Sequence, residues 1–133
     1  MEQISLFKWL TPRMKTVLYW TSTILIVLLM ANAAVMQIFR YNEHFIEEMQ
    51  EMGYPDYFIN FIGFAKIPGI LALLVPGFPK LREWAYAGFT FTLIGAAYSH
   101  FAIGEFEAVH IIALAVLFVS YFLNQDLEKS RKK

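Results

Sequence analysis

Side chains with a capacity for chemistry are concentrated at two places in this sequence. One is Lys66, an ammonium group in the middle of a long apolar run. The other is a group of imidazoles and carboxylates close together in the chain: His100, Glu105, Glu107 and His110. An ammonium group surrounded by apolar residues can hold an anionic or carbonyl-bearing ligand. Imidazoles and carboxylates can bind a metal ion or transfer protons.

Two interpretations of Lys66 are open. In the functional one, its ammonium group donates to an oxygen of a bound ligand, quinone head groups included. In the structural one, it donates to helix carbonyls, including the carbonyl that Pro68 leaves free because proline has no N–H. Asn32 and Gln37 are expected at the depth of His100, where they either join helices by hydrogen bonds or line the same cavity.

Three roles are open for the second group. Glu107 and His110 are three residues apart at the start of a predicted helix, so they share one face. A single Glu-x-x-His is weak evidence for a metal, because di-iron bundles use the motif twice and add further glutamates. The weak metal candidates are therefore His100, Glu105, Glu107 and His110. The alternatives are a proton path from the aqueous surface and ordinary interfacial polarity.

The elements that must position these residues are apolar helices. The chain has 133 residues, 58 % of them hydrophobic, and no formal net charge. Its uncharged runs reach the roughly 20 residues that cross a hydrocarbon core. We predict an all-α membrane protein, a four-helix bundle forming one domain over residues 1–133, with spans at about 16–39, 57–78, 81–103 and 108–123.

Several functions are disfavoured by what the sequence lacks. Zero net charge and the absence of a basic stripe argue against a nucleic-acid partner. The absence of cysteine excludes disulfides and thiolate metal sites, so a redox role requires a bound cofactor. No nucleophile–base motif or phosphate-binding glycine loop appears. The sequence therefore identifies no catalytic residue and leaves open whether the protein is an enzyme.

Two further features concern the surface of the bundle. A short amphipathic helix is predicted at about residues 43–52, with Asn42 as its N-cap and its glutamates in water. On the third span, small residues recur three and four apart: Ala85, Gly88, Thr92, Gly95 and Ser99. Such a stripe lets another helix backbone approach closely, either within the bundle or from a second copy.

The distribution of basic residues predicts the orientation. Nine of the eleven lysines and arginines lie before the first span, in the Lys80 loop or in the C-terminal tail. By the positive-inside rule, both termini and that loop face the cytoplasm. One alternative is that the first span is a cleaved leader, because Ala31-Asn32-Ala33 is similar to a cleavage site.

Three segments carry a resemblance to a known family. They are Lys66-Ile67-Pro68-Gly69-Ile70-Leu71-Ala72-Leu73-Leu74-Val75-Pro76, then Leu81-Arg82-Glu83-Trp84-Ala85-Tyr86-Ala87-Gly88-Phe89, then Leu93-Ile94-Gly95-Ala96-Ala97-Tyr98-Ser99-His100 with Gly104 after it. Together they resemble the DoxX-like family of small bacterial membrane proteins. The resemblance implies a four-helix bundle in the bacterial cytoplasmic (inner) membrane. Better-described relatives are similar to subunits of thiosulfate:quinone oxidoreductase, or act in membrane responses to oxidative stress. Family members often carry an acidic residue where Thr92 stands and an aspartate where Glu105 stands.

We therefore predict a small redox-associated membrane subunit that binds a quinone or a similar lipid-soluble ligand. Its cavity would open outward and be lined by Lys66, His100, Asn32, Glu105 and His110. The alternative is a non-catalytic scaffold or assembly partner that oligomerises through the small-residue stripe. The expected partners are membrane lipid and either a second copy of the chain or a redox enzyme.

Overall fold

A computed structural model describes residues 8–105 and 107–132, and these residues form five helices with short connections between them. The elements are α1 (Pro12–Phe39), α2 (Glu43–Glu51), α3 (Asp56–Leu74), α4 (Pro79–Ala102) and α5 (Ala108–Lys132). The described residues contain no β-strand. The all-α prediction is thereby confirmed. Three helices, α1, α3 and α5, are long and apolar enough to cross a membrane. Helix α4 is as long but more polar, so three helices rather than the predicted four meet both conditions among the described residues.

The four long helices form a closed ring in the order α1, α3, α4, α5. Each packs against its two neighbours in that ring. Short loops join α3 to α4 and α4 to α5, and the segment that contains α2 joins α1 to α3, so successive long helices run antiparallel. The end of the bundle where α1 stops, α3 starts and α4 meets α5 also carries α2, and is called here the α2 end. The opposite end, where α4 begins, is called the Arg82 end.

Local signals set the helix boundaries at the α2 end. Arg40 closes α1 in the left-handed conformation, with a φ of 55°. Its guanidinium group then donates to the Asn60 side chain at 3.2 Å and to the Asp56 carbonyl at 2.9 Å, which joins the end of α1 to the start of α3. Asn42 caps α2 through its side-chain oxygen, which accepts from the Phe45 N–H at 3.1 Å.

Two glycines of α3 set how closely its neighbours approach. A Cβ atom on Gly63 would lie 3.0 Å from the Cβ of Gln37 and 3.2 Å from the Ala34 carbonyl oxygen, both on α1. A Cβ atom on Gly69 would lie 2.8 Å from the ring of Phe89 on α4. Neither position has room for a side chain without a shift. Both glycines therefore serve helix packing.

Polar side chains also cross-link the middle of the bundle. Ser120 on α5 lies 2.6 Å from the Thr23 hydroxyl of α1 and 2.7 Å from the Tyr86 hydroxyl of α4, and all three residues are buried. This hydroxyl chain ties three helices together beside the main cluster of buried apolar side chains.

The Arg82 end is held by ion pairs. Arg82 is buried, donates to Asn124 and to the Val75 carbonyl at 3.2 Å each, and lies 3.9 Å from Glu128. Lys15 pairs with Asp126 at 3.6 Å. These contacts explain why α5 continues as a helix to Lys132, well beyond residue 123, where the sequence analysis ends the fourth span.

Candidate functional site

Lys66 lies in the middle of α3 and points into the bundle. It is the eleventh residue of a 19-residue helix, about 15 Å from its start, and is 7 % exposed. Its Nζ atom donates to Oε1 of Gln37 at 2.8 Å, and this is its only hydrogen bond to a described residue. The carbonyl freed by Pro68 is thus not its acceptor. Since an ammonium group has three N–H donors, two remain for another partner.

A cavity of about 390 Å³ adjoins the Lys66 ammonium group. Its volume lies within the range typical of small-molecule sites. Its wall is mostly apolar and includes Phe45, Met49, Met52, Phe58 and Phe91. Its polar lining is supplied by Lys66, Gln37, Glu48, Tyr54, Thr92 and His100. The structure therefore brings Lys66 and His100, which sequence analysis paired, to one cavity.

The antiparallel arrangement of α3 and α4 makes these two side chains converge. Lys66 lies roughly 12 Å deeper than His100, judged by residue counts from the α2 end. Side chains lean toward the N-terminus of their own helix. The Lys66 side chain consequently leans toward the α2 end, and His100 leans away from it, so both reach the same space.

His100 is held by hydrogen bonds on both ring nitrogens. Nδ1 lies 2.8 Å from the Ala96 carbonyl oxygen, which can only accept, so Nδ1 carries a proton. Nε2 lies 2.6 Å from Oε1 of Glu48 on α2. One proton is shared across this short contact, which joins α2 to α4 over a sequence separation of 52 residues.

Glu48 is the site residue that sequence analysis missed. The prediction placed it with the other glutamates of α2 on the water-exposed face, and this is wrong because its side chain is only 17 % exposed and bonds to His100. A signal was present in the sequence. Glu48 is three residues after Phe45 and four before Met52, so it lies at the edge of the apolar face.

The remaining predicted residues divide into two groups. The His110 ring lies 4.6 Å from the His100 ring, and the Glu107 carboxylate lies 3.7 Å from His100 Nε2.

Glu105 has an exposed side chain and contributes only its backbone N–H, to the His100 carbonyl at 2.9 Å. Asn32 is exposed and accepts from the Tyr41 hydroxyl at 3.3 Å. The prediction that Glu105, Asn32 and His110 line the cavity is therefore wrong, whereas Gln37 does line it.

The small-residue stripe of α4 leaves space instead of packing closely. No heavy atom lies within 4 Å of a Cβ built on Gly88 or Gly95 among the described residues. Thr92 and Gly95 line the Lys66 cavity, and Gly88 and Thr92 line a second groove of about 420 Å³ between α3 and α4. The prediction that another helix of the same chain packs closely against this stripe is therefore wrong at Gly88 and Gly95.

Comparison with known protein families places the cavity inside a matched family region. Residues 21–123 match the model of the DoxX-like family. Comparisons with the curated proteins and with the solved structures gave no match. The matched range includes α2, α3, α4 and every residue that lines the Lys66 cavity.

The Glu48–His100 contact predicts how α2 is held in place. Replacing Glu48 by alanine leaves a buried imidazole nitrogen without its partner, which costs about 1–3 kcal/mol. We expect backbone amides of residues 43–54 to exchange hydrogen for deuterium faster in Glu48→Ala protein in nanodiscs. Glu47→Ala is the matched control, because Glu47 is exposed on the same helix. Equal exchange in the two variants would contradict the role assigned to this contact.

Proposed function

The chain belongs to the DoxX-like family, and on that basis we propose that it is a redox-associated membrane subunit binding a quinone or a similar lipid-soluble ligand beside Lys66. The observation that carries the proposal is a buried ammonium group at the wall of an apolar cavity, with two N–H donors that no described residue accepts from. A quinone carbonyl supplies the acceptor that these donors lack. Its ring suits walls made of aromatic and methionine side chains.

The groove between α3 and α4 supports a ligand with an apolar tail. Lys66 lines both this groove and the cavity, so it stands where the two adjoin. The groove is bordered by apolar side chains that include Phe61, Leu81 and Trp84, all of them exposed. A ligand that hydrogen-bonds Lys66 with its head group can thus lay its tail along α3 and α4 toward surrounding lipid.

The proposal places four helices across the bacterial cytoplasmic membrane, with α4 as the fourth span. In its support, α4 has 24 residues and completes the ring between α3 and α5. Its charged residues are gathered in its first turns at the Arg82 end, which also holds the start of α1 and the end of α5. The Arg82 end is assigned to the cytoplasm by its basic residues, and α2 lies at the opposite surface.

Cysteine labelling tests whether α4 crosses the membrane. The chain has no cysteine, so single-cysteine variants have a clean background. Lys80→Cys lies in the first turn of α4 and Glu105→Cys just after its end, both at exposed positions. In intact spheroplasts, a membrane-impermeant maleimide should label the Glu105→Cys variant and spare the Lys80→Cys variant, with the reverse in inverted vesicles. Labelling of both variants from one side would refute a transmembrane α4.

Ligand binding tests the role of Lys66. We expect Lys66→Met protein in nanodiscs to bind a short-chain benzoquinone about ten- to a hundredfold more weakly, because hydrogen bonds from a charged donor contribute about 1.5–3 kcal/mol. Methionine fills a similar volume without a buried charge, so the variant should remain folded. Lys80→Met, at an exposed lysine, is the control and should bind normally. Unchanged affinity in Lys66→Met protein would count against the proposal.

A second candidate function is a non-catalytic scaffold that associates through α4. The observation that favours it is the open stripe at Gly88 and Gly95, flanked on the same helix by exposed Trp84, Phe91 and Tyr98. A helix from a second copy or a partner subunit can approach glycines closely. The same groove then holds a helix instead of a lipid-soluble ligand.

Oligomer mass distinguishes the two candidates. If α4 is an interface, the wild-type protein should be dimeric or larger by native mass spectrometry, and the double variant Gly88→Leu/Gly95→Leu should be monomeric and folded. Gly63→Leu is the contrast, because Gly63 contacts α1 inside the bundle. It should lose about 1–3 kcal/mol of stability without a specific effect on association. A monomeric wild-type protein would exclude α4 as an interface between copies of this chain.

A further inference from the structure

We propose that Glu48, His100, Glu107 and His110 form a binding site for a divalent transition-metal ion at the α2 end of the bundle. The proposal does not depend on a quinone ligand. It concerns a cluster that borders the Lys66 cavity through His100 and is built from α2, α4, α5 and the loop before α5.

The first argument is the convergence of ligand atoms. Single donor atoms of His100, Glu107 and His110 all lie within 4.8 Å of one another. A fourth donor, Oε1 of Glu48, lies 2.6 Å from His100 Nε2. With metal–ligand bonds of about 2.0–2.2 Å, tetrahedral donors lie about 3.3 Å apart. Side-chain rotations therefore bring the donors of His100, Glu107 and His110 to bonding distance, and Oε1 of Glu48 joins them by moving away from His100 Nε2.

The second argument is the way His100 is oriented. Its Nδ1–H donates to the Ala96 carbonyl, so the ring presents Nε2 toward the carboxylates of Glu48 and Glu107. Metal-ligating histidines are held by this kind of bond, in which one ring nitrogen donates to a carbonyl and the other faces the ion. An ion at this position replaces the proton shared by His100 and Glu48.

The third argument is an unsatisfied polar atom. Nδ1 of His110 is buried, and no described group stands in hydrogen-bonding geometry with it, although the Glu107 carbonyl lies nearby. A buried nitrogen without a partner costs free energy and requires an explanation. Its ring lies 4.6 Å from the His100 ring, with the two planes tilted by 38°, so a small movement of His110 lets it serve the same ion.

The donor set indicates which ions fit. Two neutral imidazoles and two carboxylates offer a charge of −2, which a divalent ion neutralises. Nitrogen donors disfavour Mg²⁺ and Ca²⁺, and the absence of thiolates disfavours Cu⁺. Zn²⁺ and Fe²⁺ accept this combination, and Zn²⁺ is the simpler probe because it has no redox chemistry. The Glu107 side chain is 44 % exposed, which gives the ion a path from solvent.

Metal titration of the intact protein tests the site. Protein purified in detergent without a polyhistidine tag is treated with a chelator, dialysed and titrated with Zn²⁺ by calorimetry. We expect one ion per chain. The variants Glu107→Gln and His110→Gln should each bind Zn²⁺ at least about tenfold more weakly. Mutation of residues that only support the ligands typically lowers metal affinity about tenfold or more, so loss of a ligand should cost no less.

The third histidine of the chain supplies the matched control. The His44 side chain is 88 % exposed and lies outside the cluster, although its Nε2 is 3.8 Å from Glu48. His44→Gln should bind Zn²⁺ like the wild-type protein. Absence of Zn²⁺ binding, wild-type affinity in both Glu107→Gln and His110→Gln, or an equal loss in His44→Gln would each overturn the proposal. Glu107 is a partly exposed loop residue, so the Glu107→Gln variant should fold normally. A lower Zn²⁺ affinity in this variant can then be assigned to the lost carboxylate.

Discussion

The burial of one ammonium group constrains the whole α2 end of the bundle. A lysine in the middle of a membrane helix costs about 2.5–3.5 kcal/mol unless it finds acceptors. Lys66 finds one in Gln37, at 2.8 Å. Near this bond α1 and α3 lie very close, because the missing Cβ of Gly63 leaves room for Gln37 and Ala34. The glycine and the lysine are thus two parts of one arrangement.

The shortest helix holds the polar groups of the site in place. From α2, Glu48 bonds to His100 and the Met49 sulfur accepts from Gln37 at 3.5 Å. Helix α2 therefore contacts both His100 and Gln37, two polar residues that line the cavity, although it has only nine residues. Short elements with few buried contacts are where proteins open locally. Access to the Lys66 cavity is accordingly expected to depend on α2 more than on the long helices.

The small residues of α4 do not make the close helix contacts that their spacing predicts. A small-xxx-small stripe is typical of tight helix contacts. Here Gly88 and Gly95 face open space, while Gly63 and Gly69 on α3 make the close contacts. The bundle thus uses glycine on one helix to draw neighbours together and on the next to keep a groove open. The ligand binding and the subunit association proposed above would compete for this one surface.

The sequence by itself determined the helical class, the approximate helix positions and the anomaly of Lys66, because apolar periodicity and capping are local. It also indicated that His100 and Lys66 would share a cavity. Only the tertiary structure decided that Glu48 and Gln37 face inward and Asn32 outward. Those directions depend on how each helix is rotated about its axis, which is set by contacts between residues far apart in the chain, such as Glu48 and His100. A helical repeat of 3.6 residues defines a face, but only the neighbouring helices decide which face is buried.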